Sequence, residues 1–123
     1  MKAPQIPPQP WIGNLLEAAR NIADRRLQES RWLAPDRKPW ESPDEAINTL
    51  DDCALPQFIE TFSETFTAEQ ALAIAQFRDE VETYAKATPQ HLEPSDVLAD
   101  PRWESVRSRA SQFVLSFQEK WPR

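Results

Sequence analysis

Residues 41–69, ESPDEAINTLDDCALPQFIETFSETFTAE, decide the fold and hold much of the charge of the chain. They contain no lysine, arginine or histidine. They contain eight carboxylates and are called here the acidic stretch: Glu41, Asp44, Glu45, Asp51, Asp52, Glu60, Glu64 and Glu69. Such a run could be a charged linker or a folded surface, and the helix signals within it distinguish the two.

Two helix-start signals frame the acidic stretch. Ser42-Pro43-Asp44-Glu45 and Thr67-Ala68-Glu69-Gln70 both match the capping box, in which a Ser or Thr side chain binds the amide three residues on. Pro43 falls at the first helical position, where its missing N–H costs nothing. Between the two signals, Phe58, Phe62 and Phe66 recur at every fourth residue, which is typical of a helix packed on a core. The acidic stretch is therefore predicted to be folded and helical.

The rest of the chain predicts an all-α fold, an irregular bundle or orthogonal array of about five helices with two Pro-rich loops. The chain has one glycine and twelve prolines, which disfavours a β-rich fold because such folds commonly need glycine in their turns. Apolar periodicity places the helices at about 11–33, 43–53, 56–66, 68–87 and 101–120, with loops at 34–42 and 88–100 and a turn at 94–98. Residues 1–10 are Pro-rich and predict an extended arm, and residues 11–123 a single helical domain.

The charged side chains are distributed unevenly along the chain, and this distribution indicates which kinds of molecule could bind it. Residues 39–100 hold fourteen acidic and two basic side chains, whereas the flanking segments are each net basic, and the whole chain carries −6. Such a field attracts a basic protein and repels nucleic acid or anionic lipid. No stretch is apolar enough for a membrane span, and no secretory signal is visible, so a cytoplasmic protein is expected.

Catalytic and metal chemistry find few candidates in this sequence. One cysteine and one histidine are too few ligands for a zinc cluster. The glycine that an EF-hand loop needs for calcium binding is missing as well. Cys53 follows two carboxylates, which raise a thiol pKa and so disfavour a nucleophile. We therefore predict no enzyme, no cofactor, no metal and no catalytic residues.

Binding is the remaining class of function. In size and charge, the chain resembles the small acidic helical immunity proteins of bacterial toxin–immunity pairs. That resemblance implies a protein that neutralises a toxin by covering its basic surface, which in nucleases is the nucleic-acid cleft. From the residues themselves, we expect the contacts to be made by five carboxylates and one aromatic anchor, namely Asp44, Asp51, Asp52, Glu60, Glu64 and Trp40.

Two other functions remain open at this point. The chain could be a structural or adaptor subunit that oligomerises through the helix at 68–87 or the last helix. Alternatively, the basic N- and C-terminal helices could come together to bind nucleic acid, with the acidic centre as an inhibitory face. The oligomeric state is not predicted.

Overall fold

A computed structural model describes residues 9–88 and 92–117. These residues form helices and no strand, which confirms the all-α class. The predicted arm up to residue 8, His91 and residues 118–123 lie outside the described residues, whereas Gln9 and Pro10, which were also assigned to the extended arm, are helical. None of the helices in the described ranges is long and apolar enough to cross a membrane.

The helices follow one another with short connections. In chain order they are α1 (Gln9–Ala23), α2 (Arg25–Trp32), α3 (Pro43–Asp52), α4 (Leu55–Phe62), α5 (Ala68–Ala87), α6 (Pro94–Ala99) and α7 (Pro101–Phe117). A 3₁₀ turn, Ser63–Thr65, follows α4. The predicted loop at 34–42 is confirmed as non-helical.

The single helix predicted for 11–33 is wrong, because the chain breaks at Asp24. The Asp24 carboxylate accepts a hydrogen bond from the Leu27 N–H (3.0 Å) and caps a new helix, α2. The break rotates the second segment, so that Gln28 and Trp32 are buried. Leu27, which the apolar stripe placed inside, is 37% exposed.

Three smaller expectations also fail. The turn predicted at 94–98 is the helix α6, which begins at Pro94, a residue suited to the first helical position. Phe66 lies after the 3₁₀ turn in extended backbone rather than in α4. Ala71, expected to face inward on α5, is exposed, while Ala73 is buried.

The core lies between α5, α7 and α1. The long helices α5 and α7 pack together, and α1 packs on α7 with one flank and on α3 with the other. Phe77 of α5 stacks on Phe113 of α7 with ring centroids 5.4 Å apart. The apolar face predicted for the last helix is confirmed, since its described members are all buried: Trp103, Val106, Ala110, Phe113, Val114 and Phe117.

The connection between α3 and α4 sets the relative positions of the two acidic helices. Ala54 adopts a left-handed conformation (φ 56°), the one non-glycine residue with positive φ among the described residues. The Trp11 indole N–H donates to the Cys53 carbonyl (2.8 Å), and its ring meets Phe58 edge-on at 5.4 Å. This anchor fastens the acidic helices to α1, so their carboxylates are displayed on a packed framework.

Candidate binding surface

The two helix caps of the acidic stretch differ in the structure. Thr67 and Gln70 form the full capping box, with the Gln70 N–H donating to the Thr67 hydroxyl (3.1 Å) and the Thr67 N–H to the Gln70 side chain (2.9 Å). Ser42 accepts from the Glu45 N–H (3.2 Å), but the return bond to the Glu45 carboxylate is absent from the described bonds. The Glu45 side chain instead lines a surface groove.

The carboxylates predicted to bind a partner occupy separate places. Asp44 is half-buried in the first turn of α3 and accepts a hydrogen bond from the Leu92 N–H (3.2 Å). Asp51 and Asp52 are exposed in the last turn of α3, roughly 10 Å along the helix from Asp44. Glu60 on α4 and Glu64 in the 3₁₀ turn are exposed too, and neither makes an ion pair with a described residue.

Acidic side chains lie close together at the end of α3. Partial burial raises the pKa of the Asp51 carboxyl, and the neighbouring charges of Asp52 and Glu82 raise it further. Glu82 belongs to α5, so the structure extends the acidic surface from α3 to a helix outside the acidic stretch. A basic partner would relieve this repulsion.

The ion pairs of the fold leave the acidic stretch untouched. Among residues 9–88 and 92–117, arginines pair with Glu29, Asp79, Glu80, Glu82, Asp100 and Glu104. None of these carboxylates belongs to residues 41–69. The net basic segments therefore form no ion pair with the acidic stretch within the described part of the chain.

A groove runs between α1 and α3, and we call it the α1–α3 groove. It consists of two depressions, of about 370 Å³ and 580 Å³, which share Ala18 and Thr49 in their walls. Trp40, 66% exposed, stands at the first depression, and Trp11 lines the second. Four carboxylates and one cation line the two depressions: Glu17, Glu41, Glu45, Asp52 and Arg31. The groove joins two of the predicted contacts, Trp40 and Asp52, on one surface.

The polar flank of α1 is the part of this groove that sequence reasoning missed. Asn14, Glu17 and Asn21 line it, at spacings of three and four residues that place them on one side of the helix. The sequence does contain this polar stripe. It resembles any solvated helix flank, however, until α3 packs beside it.

On the other flank of α1, the basic segments do come together. Arg20, Arg25 and Arg26 face Arg107 of α7 across an open groove of about 520 Å³. Arg25 and Arg107 both pair with Glu104, and Arg25 also pairs with Glu29. The juxtaposition expected for a nucleic-acid surface is therefore present, with part of its charge neutralised within the protein.

Cys53 is the C-cap that directly follows α3, and it is half-buried. Burial raises the pKa of this thiol, and the adjacent Asp52 carboxylate raises it further, the direction predicted from the sequence. Among the described residues, no three His, Cys, Asp or Glu side chains converge on a possible metal position.

No protein-family model, curated protein or solved structure matches this chain. Its function is therefore inferred from its own surfaces.

Proposed function

We propose that the protein is a binding inhibitor that uses its acidic helical face, and that it acts as an immunity protein neutralising a toxin with a basic surface. The observation that supports this most is the absence of ion pairs to the acidic stretch among the described residues, although arginines pair with carboxylates elsewhere. Charges left unpaired on a packed framework are available to a partner. A complementary basic surface would gain both association rate and register from them.

The α1–α3 groove adds an exposed aromatic side chain and a depression to the charged contacts. An exposed tryptophan beside a depression is the type of residue that carries most binding energy in protein interfaces. Trp40 stands at the Glu41 and Glu45 end of the groove, and Asp52 lies at the other end. A basic segment of the partner laid along the groove would contact Trp40 and acidic side chains together.

The immunity role follows from this mode of binding. A protein that covers the basic cleft of a nuclease blocks access of the nucleic acid without performing any chemistry. The size, acidity and helical fold of the chain suit such a plug. Co-expression with the protein encoded beside it tests the role directly, since an immunity protein restores the growth of cells that make the toxin.

Capture of the partner tests the acidic face itself. The tagged protein is used to isolate its partner from the native host, and the dissociation constant is then measured with the purified pair. The test variant is D51N/D52N/E60Q/E64Q. We expect it to bind at least about tenfold more weakly, because four favourable charges are lost from the face.

The matched control removes the same number of charges from other faces. The control variant is E29Q/D36N/D79N/E104Q. Its surface ion pairs contribute about 0–1 kcal/mol each, so it should stay folded by circular dichroism and bind like the wild type. Equal losses of affinity in the two variants would show that net charge matters and the acidic face does not.

The alternative, an adaptor subunit joined through α5 or α7, has a specific observation of its own. Leu72 on α5 and Leu115 on α7 are exposed. Single exposed leucines are common on monomers. Light scattering at micromolar concentration decides: an obligate oligomer dissociated by L72E or L115E supports the adaptor, and a monomer supports the inhibitor.

A further inference from the structure

A small pocket lies where the end of α5 meets α6 and the start of α7. Its volume is about 180 Å³, below the ~300–1,000 Å³ typical of small-molecule sites. Most of its wall surface is apolar, although its lining includes six polar or charged residues, namely Tyr84, Thr88, Glu93, Asp96, Asp100 and Arg102. The pocket suits one inserted side chain better than a free ligand.

Tyr84 contributes a buried hydroxyl group to this pocket. Its side chain is 3% exposed, with its ring 5.3 Å from the ring of Trp103 and 5.8 Å from the Arg102 guanidinium. Its hydroxyl forms no hydrogen bond with any described residue. A buried hydroxyl without a partner costs about 1–3 kcal/mol, and native proteins nearly always satisfy such groups. Water or a polar atom of a ligand in the pocket would supply that partner.

The charges around Tyr84 select the sign of that occupant. Asp100 and Arg102 neutralise each other, since the guanidinium donates to both carboxylate oxygens at 2.8–3.1 Å. Glu93 and Asp96 remain in the wall without an ion pair among the described residues.

The pKa of the Tyr84 phenol reflects its burial first and the nearby charges second. Burial raises its pKa to about 12, and the charges of Asp100 and Asp44 add to the rise while Arg102 opposes it. Asp44, a predicted contact residue, thus belongs to this region, which its hydrogen bond from the Leu92 N–H confirms. The carboxylates of Glu93 and Asp96, which have no ion pair among the described residues, favour a cation as the occupant.

We propose that this pocket receives a lysine side chain of the basic partner. The proposal rests on the function proposed above. An ammonium group brings three donors and no acceptor, so it can donate to the Tyr84 oxygen while the negative charges of Glu93 and Asp96 attract it. Its methylene stem can lie against Leu92 and Val97, which also line the pocket. A divalent metal fits less well, because no three suitable ligands converge among the described residues.

The test uses the fact that Tyr84 is the sole tyrosine of the chain. Tyrosine labelled with ¹³C in the ring gives one signal from the site, without assignment. The full-length protein is titrated with N-acetyl-lysine methylamide and, in parallel, with N-acetyl-norleucine methylamide, which lacks the ammonium group. We expect a saturable shift with the lysine compound, with a dissociation constant on the order of 1–10 mM for a single side chain.

The variant Y84F keeps the ring and its packing and removes the hydroxyl alone. Followed through the backbone amides of Thr88 and Leu92, it should bind the lysine compound about fivefold more weakly, the effect of one hydrogen bond. Absence of a saturable shift, an equal response to the norleucine compound, or unchanged affinity of Y84F would each overturn the proposal and leave water as the occupant. The partner-binding loss of D51N/D52N/E60Q/E64Q is a separate readout, so the two proposals can fail independently.

Discussion

Gln28 supports the junction of three helices, and replacing it should weaken the fold more than any surface change. Its amide nitrogen donates to the carbonyls of Asn21 (2.8 Å) and Ile22 (2.7 Å), at the end of α1. Its amide oxygen accepts from the indole N–H of Trp103 on α7 (3.0 Å). The side chain is 1% exposed. The perturbation is Q28M, which nearly keeps the shape and removes every one of these bonds.

The magnitude follows from which groups lose a partner. The Ile22 carbonyl and the Trp103 N–H are fully buried, and each costs about 1–3 kcal/mol when left unsatisfied. The Asn21 carbonyl is partly exposed and can be hydrated, so it adds little. After a gain of roughly 1 kcal/mol for burying the apolar Met side chain, the free energy of unfolding should fall by about 3 kcal/mol. For a chain of this length that lowers Tm by roughly 10 °C.

Urea unfolding followed by tryptophan fluorescence and circular dichroism measures this loss. Q112M changes an exposed glutamine on α7 and serves as the control, with an expected effect within about 0.5 kcal/mol. If Q28M unfolds within about 1 kcal/mol of the wild type, the three bonds do not hold the junction, and the reasoning fails. Because Gln28 also lines the α1–α3 groove, the same variant should loosen the wall on which Trp32 and Trp40 stand.

Three further predictions concern the acidic face. D51N should raise the free energy of unfolding at pH 7 by up to about 0.5 kcal/mol. Because the pKa of Asp51 is raised in the folded protein, its charged form opposes folding above that pKa. The stability gained by D51N should therefore vanish as the pH falls to 3.8, the pKa of the carboxyl in the unfolded chain. Urea unfolding at pH 7 and at pH 3.5 measures this change. Cys53 should react with a disulfide reagent more slowly than a free cysteine peptide, and D52N should speed that reaction on the order of twofold; equal rates in the two proteins would contradict the electrostatic cause. W40A should leave stability within about 0.5 kcal/mol but cost about 2 kcal/mol of binding free energy with the captured partner, whereas L33A, on the same exposed connection, should cost neither; equal affinities for W40A and wild type would remove Trp40 as the anchor.

The helices were predictable where a cap and an apolar period agree. Ser42 and Thr67 are the N-cap residues that predict the starts of α3 and α5, and the spacing of the apolar residues in α7 alone predicts its buried face. The break at Asp24 was not predictable from periodicity, because apolar residues continue through it at helical spacing. Gln28 stabilises the break, because its buried side chain donates hydrogen bonds to the carbonyls that are left without helical partners at the end of α1.

The candidate surface was less predictable than the fold. Charge counting finds the acidic stretch, but the sequence cannot tell which carboxylates the arginines will use. Glu17 becomes part of the acidic surface only because α1 packs beside α3, and Glu82 of α5 lies close enough to Asp51 for its charge to raise the pKa of that carboxyl. Asp44, grouped with Asp51 by its position in the chain, faces Leu92 and the Tyr84 pocket instead.

The separation of internal ion pairs from the acidic stretch makes ionic strength a selective probe of this protein. Added salt screens exposed charges over about 10 Å at 0.1 M, so it should slow association with a basic partner steeply. The ion pairs of the fold are exposed and individually weak, and Asp51 is repelled by Asp52 and by Glu82. Unfolding should therefore change little with salt, or become slightly harder. Added salt would thus distinguish the interactions that stabilise the fold from the electrostatic attraction that brings a partner to the acidic stretch.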